Sequence, residues 1–395
     1  MAPRIILFTG KGGVGKTTTA AGTATLAARS GSRTLVLSTD AAHSLADTFG
    51  VAIGAEPTQV EEGLWVQQVD AQRRFEHSWG EIQGYLRSVL DTVGVDPITA
   101  EELTVVPGAE EVLALLELRS HAVGDRWDLI VVDCAPTAET LRLLALPEAL
   151  GWYMNRVFGV QRRVVKALRP VLTRAAGVPM PEESVFDAVQ RLHHDLSEVQ
   201  QILSGKDATV RLVLTPEAVV VAEARRSLTT LSLYGYRVDG VVANRVFPSG
   251  SDEWLAGWVR AQSEVLDEIR HSFAGLPIWV SAYQPGEPVG ADALASFAAA
   301  AYGDDDPFAL LEDEGPMSVR RTDSGAVLSI ALPFASREDV DLARHGDELV
   351  VTVGSYRRLL ALPVALARQT VTGARVEDGA LQVRFRFEEG STRDR

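Results

Sequence analysis

The sequence has a single cysteine, Cys134, among 395 residues. One thiol cannot close an intrachain disulfide, nor supply the thiolates of a cysteine-rich zinc site or a four-thiolate iron–sulfur cluster. No zinc and no iron–sulfur cluster are expected. Lysine is also scarce: Lys11, Lys16, Lys166 and Lys206 stand against 34 arginines. No run of 18 uninterrupted apolar residues occurs, and Met1-Ala2-Pro3-Arg4 leads straight into Ile5-Ile6-Leu7-Phe8 without a leader-like segment. These absences predict a cytoplasmic protein that is neither secreted nor membrane-spanning. Positive charge is in deficit too, with a formal net charge of −15. An acidic field repels phosphate backbones, so nucleic acid is not an expected partner.

What is present is ordinary globular material, 46% hydrophobic and 23% charged. The length suits two unequal domains. Apolar, β-branched runs at 5–9, 34–38, 129–133, 210–215, 238–243 and 277–281 alternate with helix-period segments. Continuous apolar strands of this kind are buried on both faces, which predicts an α/β fold: a doubly wound parallel sheet with helices on either side. The intervals 71–126 and 141–205 are too long for one crossover helix each, and predict a helical subdomain. This first domain is expected over residues 1–303. Residues 304–316, acidic and containing Pro307, Gly315 and Pro316, read as a linker. Beyond it the period becomes two. Leu381, Val383, Phe385 and Phe387 alternate with polar residues, as do Leu349, Val351 and Val353, and turn signals recur at 323–325, 345–347 and 377–379. Residues 317–390 are therefore expected to form a small all-β sandwich. Residues 317–395 carry a net charge of +1, leaving −16 on the first 316.

Gly10-Lys11-Gly12-Gly13-Val14-Gly15-Lys16-Thr17 fits G-x-x-x-x-G-K-[ST] between the first strand and a helix-compatible Thr18-Thr19-Ala20-Ala21. Glycines let consecutive N–H groups turn inward around an anion, and the helix N-terminus adds partial positive charge. In such a loop Lys16 reaches the β- and γ-phosphates and Thr17 ligates Mg²⁺, so ATP and Mg²⁺ are the expected cofactors. Lys11 is too early in the loop to cradle its own phosphates and is placed to reach across a dimer interface. Asp133, an acid at the end of an apolar strand, suits the Mg²⁺ water shell. For Asp40 the alternative to a catalytic role is a helix N-cap ahead of Ala41-Ala42-His43. Cys134 reads as a small residue packed beside the sheet. Adjacent His193 and His194 point to different helix faces and make a poor metal pair.

The K-G-G-x-G-K-T-T loop resembles the deviant Walker A of the dimeric ATPases that include ArsA, the Get-pathway targeting ATPases, MinD, ParA and the nitrogenase iron protein. Ser38-Thr39-Asp40-Ala41-Ala42-His43-Ser44-Leu45 is similar to the ArsA/Get switch I. Asp133-Cys134-Ala135-Pro136-Thr137 with Thr140-Leu141-Arg142-Leu143-Leu144 is similar to its switch II. Pro107-Gly108-Ala109-Glu110-Glu111, Thr215-Pro216-Glu217 and Asn244-Arg245-Val246 match further motifs, so the resemblance spans about residues 4–300. It implies a homodimer in which Asp40 orients the attacking water, Asp133 holds the Mg²⁺ water shell, and Lys11 stabilises phosphate charge in the other subunit. It also implies that Gly10 to Thr18, Asn244 and Pro285 contact the nucleotide. The chain departs from the family pattern at Ala41, Cys134, Ala138 and Glu139.

Residues 151–180 hold Arg156, Arg162, Arg163, Lys166, Arg169 and Arg174 and no acid. Leu150, Met154, Val157, Phe158, Val165, Leu168 and Leu172 recur there near helical spacing. This basic amphipathic stretch is a candidate groove for apolar or membrane-protein segments of clients, or for peripheral membrane contact; the alternative is a helix simply packed on its neighbour. Ala374-Arg375-Val376-Glu377-Asp378-Gly379-Ala380-Leu381, with Leu362-Pro363 upstream, resembles the α-crystallin domain of small heat-shock proteins. Together these features imply a switch ATPase that binds and releases apolar client segments, as a targeting factor or chaperone. The alternatives are the ATPase subunit of an arsenite efflux pump, which would need more cysteines, and a ParA/MinD-like positioning ATPase.

Overall fold

The computed structural model describes residues 2–39, 44–69, 109–135, 137, 140, 141, 144, 183–249, 253–310 and 315–387. The amino-terminal part is built on an eight-stranded sheet. Its strands are β1 (Arg4–Thr9), β2 (Thr34–Ser38), β3 (Thr58–Glu61), β4 (Leu64–Gln68), β5 (Leu129–Asp133), β6 (Ala208–Leu214), β7 (Val238–Val246) and β8 (Ile278–Ala282). They run in the order β3-β4-β2-β5-β1-β6-β7-β8, all parallel except the edge strand β3, which is antiparallel to β4. Every residue of β2, β5 and β6 is buried. That is why these strands read as unbroken apolar runs rather than alternating ones.

Helices α1 (Lys16–Arg29), α2 (Ser44–Phe49), α3 (Ala109–Ala122), α4 (Glu183–Ser204), α5 (Ala218–Leu233), α6 (Glu253–Ser272) and α7 (Ala291–Tyr302) connect or cover the strands. α1 is rich in alanine on the side facing the sheet and α7, with Ala20, Ala21, Ala24 and Ala27 fully buried. Small side chains there let helix and sheet approach closely. Of the expected helical subdomain, α3 and α4 fall within the described residues. None of the described helices is long and apolar enough to cross a membrane.

β3 and β4 were not expected. Gln67 and Gln68 interrupt the apolar pattern of β4, yet both are buried. Gln67 Nε2 donates to the Ala55 carbonyl at 2.6 Å and to Glu117 Oε1 at 2.7 Å, while Gln67 Oε1 lies 2.7 Å from His121 Nε2. The Trp127 indole N–H donates to His121 Nδ1 at 3.2 Å, which leaves the proton on Nε2. Partners on α3 thus make a polar strand tolerable inside the core.

A second buried polar group ties β1, β6 and β7 together. Arg211 (1% exposed) meets Asp239 (3%) through Nε at 3.1 Å and Nη2 at 2.9 Å. Asp239 also accepts from Arg4 Nη2 at 3.0 Å and Thr209 Oγ1 at 2.6 Å. The Arg211 guanidinium lies 4.4 Å from the Trp279 ring and donates to the Tyr302 hydroxyl and the Pro307 carbonyl. Arg4 Nε donates to the Phe308 carbonyl, and Trp279 Nε1 to Asp305. Residues 305–308, the start of the acidic stretch read as a linker, are thereby anchored to the sheet.

The carboxyl-terminal part is all antiparallel. β9 (Met317–Thr322), β10 (Gly325–Ala331), β14 (Thr370–Glu377) and β15 (Ala380–Arg386) form one sheet in the order β14-β15-β10-β9. β11 (Val340–His345), β12 (Glu348–Val353) and β13 (Tyr356–Ala361) form a second. Leu381, Val383 and Phe385 point into the core as their alternation predicts, but Phe387 lies past the end of β15 and is exposed. The core of these sheets also includes Leu233, the last residue of α5. Arg358 donates to the Leu233 carbonyl, the Thr229 hydroxyl meets the Pro333 carbonyl, and Phe334 makes an edge contact with Phe273. The two parts therefore share a hydrophobic junction.

Candidate nucleotide site

β1 ends at Thr9 in the middle of the sheet, and the chain turns at once into residues 10–15 before α1 begins. Gly10 has no room for a side chain, since a Cβ there would lie 2.0 Å from the Val213 carbonyl oxygen. Gly15 combines φ of +94° with the Asn244 amide nitrogen, which a Cβ would approach to 2.3 Å. Only glycine meets both demands. The loop so formed is capped by Lys16, whose buried Nζ donates to the Lys11 carbonyl at 3.2 Å. Gly12 and Gly13 are exposed, and Lys11 half-buried, at its outer side.

The segments that leave the neighbouring strands are tied to this loop and to each other. Asp133, fully buried at the end of β5, stands in register with Phe8 on one side and Ser38 on the other. Thr39 N donates to the Asp133 carbonyl at 3.0 Å. Thr137 N donates to the Gly10 carbonyl at 3.2 Å, and the Thr17 hydroxyl lies 3.3 Å from that of Ser44 at the head of α2. Burial pushes the Cys134 thiol far up, and the adjacent Asp133 carboxylate acts in the same direction. It stays protonated and inert, as a packed small residue does.

Beside the loop opens a cleft of about 310 Å³, lined by Gly15, Thr18, Asn244, Arg245, Tyr283 and Pro285 among others. Asn244, 5% exposed at the end of β7, donates from Nδ2 to the Val14 carbonyl at 2.8 Å and accepts from Arg245 N at 2.9 Å. The structure thus brings together the loop residues Gly10 to Thr18, Asn244 and Pro285, with Asp133 at the end of the adjacent strand. Asp40 lies outside the described residues, as do Leu150, Met154, Val157, Phe158, Val165, Leu168 and Leu172. Among the described residues no cluster of His, Cys, Asp and Glu is arranged to hold a metal ion. His194 pairs instead with Glu198 on α4 at 3.5 Å. Sequence reasoning did not single out Ser44, Arg245 or Tyr283. Ser44 lies within the quoted switch I motif and Arg245 within the quoted Asn244-Arg245-Val246 motif, whereas Tyr283 carries no local signal.

A glycine loop at the carboxyl end of a central parallel strand, opening into a helix that begins Lys-Thr, defines a P-loop nucleotide hydrolase. Comparison with known proteins narrows the class. The profile of the anion-transporting ATPases matches residues 3–303, and that of the HSP20-like domain found in ArsA matches residues 323–385. The chain is 37% identical over 390 residues to a protein of Chlorobaculum tepidum named as an arsenical pump-driving ATPase, covering 98% of this chain and 96% of that one. It is 40% identical to the Streptomyces coelicolor protein SCO2128 over 385 residues, 97% of each. An ATPase ASNA1 homolog of Paramecium tetraurelia is 27% identical over 300 residues, 74% of this chain and 90% of that one. The chain belongs to the anion-transporting, ArsA-type ATPase family, and it is an ATP hydrolase.

Proposed function

We propose that the chain works in the cytoplasm as a homodimeric switch that hydrolyses Mg·ATP to bind and release apolar segments of client proteins. The observation that carries this reading is the Thr137–Gly10 hydrogen bond. It ties the phosphate loop to the segment leaving β5, which continues in sequence into the basic amphipathic stretch 150–172. A change at the terminal phosphate then reaches the proposed client region through one connected backbone. The Thr17–Ser44 and Thr39–Asp133 contacts give the segment around Asp40 a matching link.

In this reading the cleft takes the base and ribose, and the loop takes the phosphates. The Lys16 ammonium exchanges the Lys11 carbonyl for β- and γ-phosphate oxygens. The missing side chains at Gly10 and Gly15 keep the loop backbone close enough to surround them. The Thr17 hydroxyl and the buried Asp133 carboxylate are hard oxygen donors on adjoining elements and suit Mg²⁺, with Asp133 acting through water. Mg²⁺ there would neutralise charge on the bridged phosphate oxygens. Asp40 orients the attacking water, and Lys11 reaches the phosphates held by a second copy.

The names of the relatives favour a second reading, an ATPase that drives an arsenical pump. Against it stands the single thiol, buried and held protonated, which offers no multi-thiolate site within one chain. A capture experiment separates the two. Asp40→Asn, expressed in the native cell and trapped with Mg·ATP, should retain proteins bearing apolar terminal segments that a Lys16→Ala control does not. Retention of a membrane pump subunit would favour the second reading, and absence of any apolar protein would remove the first.

A further inference from the structure

After Asn244 the end of β7 is kinked into a local turn, where its pairing with β8 shifts register between Ala243 and Val246, and this turn is held by a side chain from the next helix. Gln262, on α6, accepts from Phe247 N through Oε1 at 2.7 Å and donates from Nε2 to the Arg245 carbonyl at 3.1 Å. One carboxamide thus satisfies a backbone donor and a backbone acceptor two residues apart, as a neighbouring strand would. Between them the chain bends sharply. Arg245 has φ of +60°, a left-handed conformation that a non-glycine residue adopts only when its surroundings impose it.

Both walls of the cleft depend on that turn. On one side, the Arg245 N–H fixes Asn244 Oδ1, which leaves the Asn244 amide group to reach Val14 in the phosphate loop. On the other, the Val246 carbonyl accepts from Tyr283 N at 2.8 Å, and the Phe247 ring stacks on Tyr283 with centroids 5.2 Å apart and planes 16° apart. Tyr283 lines the cleft. A turn relaxed out of its left-handed kink would therefore release Asn244 and withdraw the platform under Tyr283, with no change in the phosphate loop itself.

We propose that Gln262 is a positioning residue for nucleotide binding, acting on the base side of the site through the 245–247 turn. The proposal rests on the reading of the cleft as the base and ribose site. Gln262 does not itself line that cleft and meets it only at the Arg245 carbonyl, so it affects ATP through Arg245, Asn244 and Tyr283. Its influence falls on affinity for the nucleoside moiety and not on the phosphate chemistry.

The test uses the full chain carrying Gln262→Met, which keeps length but loses both hydrogen bonds. A companion, Gln262→Glu, keeps the acceptor for Phe247 N but sets a carboxylate against the Arg245 carbonyl. Steady-state kinetics give kcat and KM for ATP, competition gives the inhibition constant of inorganic tripolyphosphate, and calorimetry gives Tm. Two lost hydrogen bonds at the turn should raise KM for ATP about tenfold. kcat and the tripolyphosphate constant should move by less than about twofold, because the phosphate loop is untouched. Unchanged KM in both variants overturns the proposal. So does a parallel loss for ATP and tripolyphosphate with a lowered Tm, which would make Gln262 merely structural. If the wild-type protein binds tripolyphosphate as tightly as ATP, the cleft reading itself fails and takes the role of Gln262 with it.

Discussion

Replacing Asp239 by alanine should be among the most damaging single changes outside the nucleotide site. Its carboxylate is 3% exposed and accepts hydrogen bonds from Arg211 through two nitrogens, from Arg4 and from Thr209. Removing it leaves the guanidiniums of Arg211, 1% exposed, and Arg4 facing each other without their shared counter-charge. Burial already pulls the Arg4 pKa down with Asp239 in place, and Arg211 pulls it the same way. Breaking a buried pair at one partner costs about 3–5 kcal/mol. For a chain of 395 residues that corresponds to a fall in Tm of roughly 4–6 °C. The cost has a place as well as a size. Arg211 donates to the Pro307 carbonyl and Arg4 to that of Phe308, so hydrogen exchange should accelerate first across residues 303–310. Calorimetry and exchange mass spectrometry on the full chain measure both. A loss under about 1 kcal/mol, the range of an ordinary surface change, would refute the view that this cluster is dry and mutually dependent.

Lys16→Ala should abolish phosphate release from ATP while leaving the fold intact by circular dichroism; normal turnover would sink the assignment of the loop. Asp40→Asn should bind Mg·ATP with near-native affinity yet fail to turn over, and wild-type turnover would remove Asp40 from the reaction. The exposed Arg33–Asp128 pair makes a pH prediction. Three hydrogen bonds from Arg33, two from its guanidinium and one from its backbone N–H, lower the Asp128 carboxyl from 3.8 to about 2. A depressed carboxyl stabilises the fold above its unfolded pKa and ceases to do so as pH falls through the folded value. The stability difference between wild type and Asp128→Asn should therefore be constant from neutral pH to about 5 and shrink between about 4 and 2. A carboxyl NMR titration with a midpoint near 4 would show that the pair does not persist in solution.

Much of the sheet was legible because parallel strands covered on both faces admit few polar residues. Thr34–Ser38 and Leu129–Asp133 match the expected runs residue for residue. β4 was not legible, because its buried Gln67 is satisfied by Glu117, His121 and Ala55, partners that no local pattern reveals. The phosphate loop was legible for the opposite reason. Its chemistry is local, and eight consecutive residues hold the glycines, the lysine and the threonine together. The far wall of the cleft is assembled from Arg245 and Tyr283, brought together only by the pairing of β7 with β8. Gln262 stayed invisible in the same way, since a carboxamide on an exposed helix gives no sign that it reaches a backbone turn 15 residues earlier. In the carboxyl-terminal sheets period two identified the inward residues, and it failed at Phe387 because alternation has no force once the strand has ended.

Leu233 has a bearing on how this architecture can be cut and rejoined. It is fully buried, yet it belongs to the core of sheets that begin at Met317. A swap of carboxyl-terminal domains between relatives at the acidic stretch would carry the strands away from a side chain they need, and would strand Leu233 on the surface of what remains. The natural seam for exchange therefore includes the end of α5, from Thr229 through Tyr234, together with the strands that close over it. During synthesis that helix leaves the ribosome first, so the late-emerging strands meet a platform already standing.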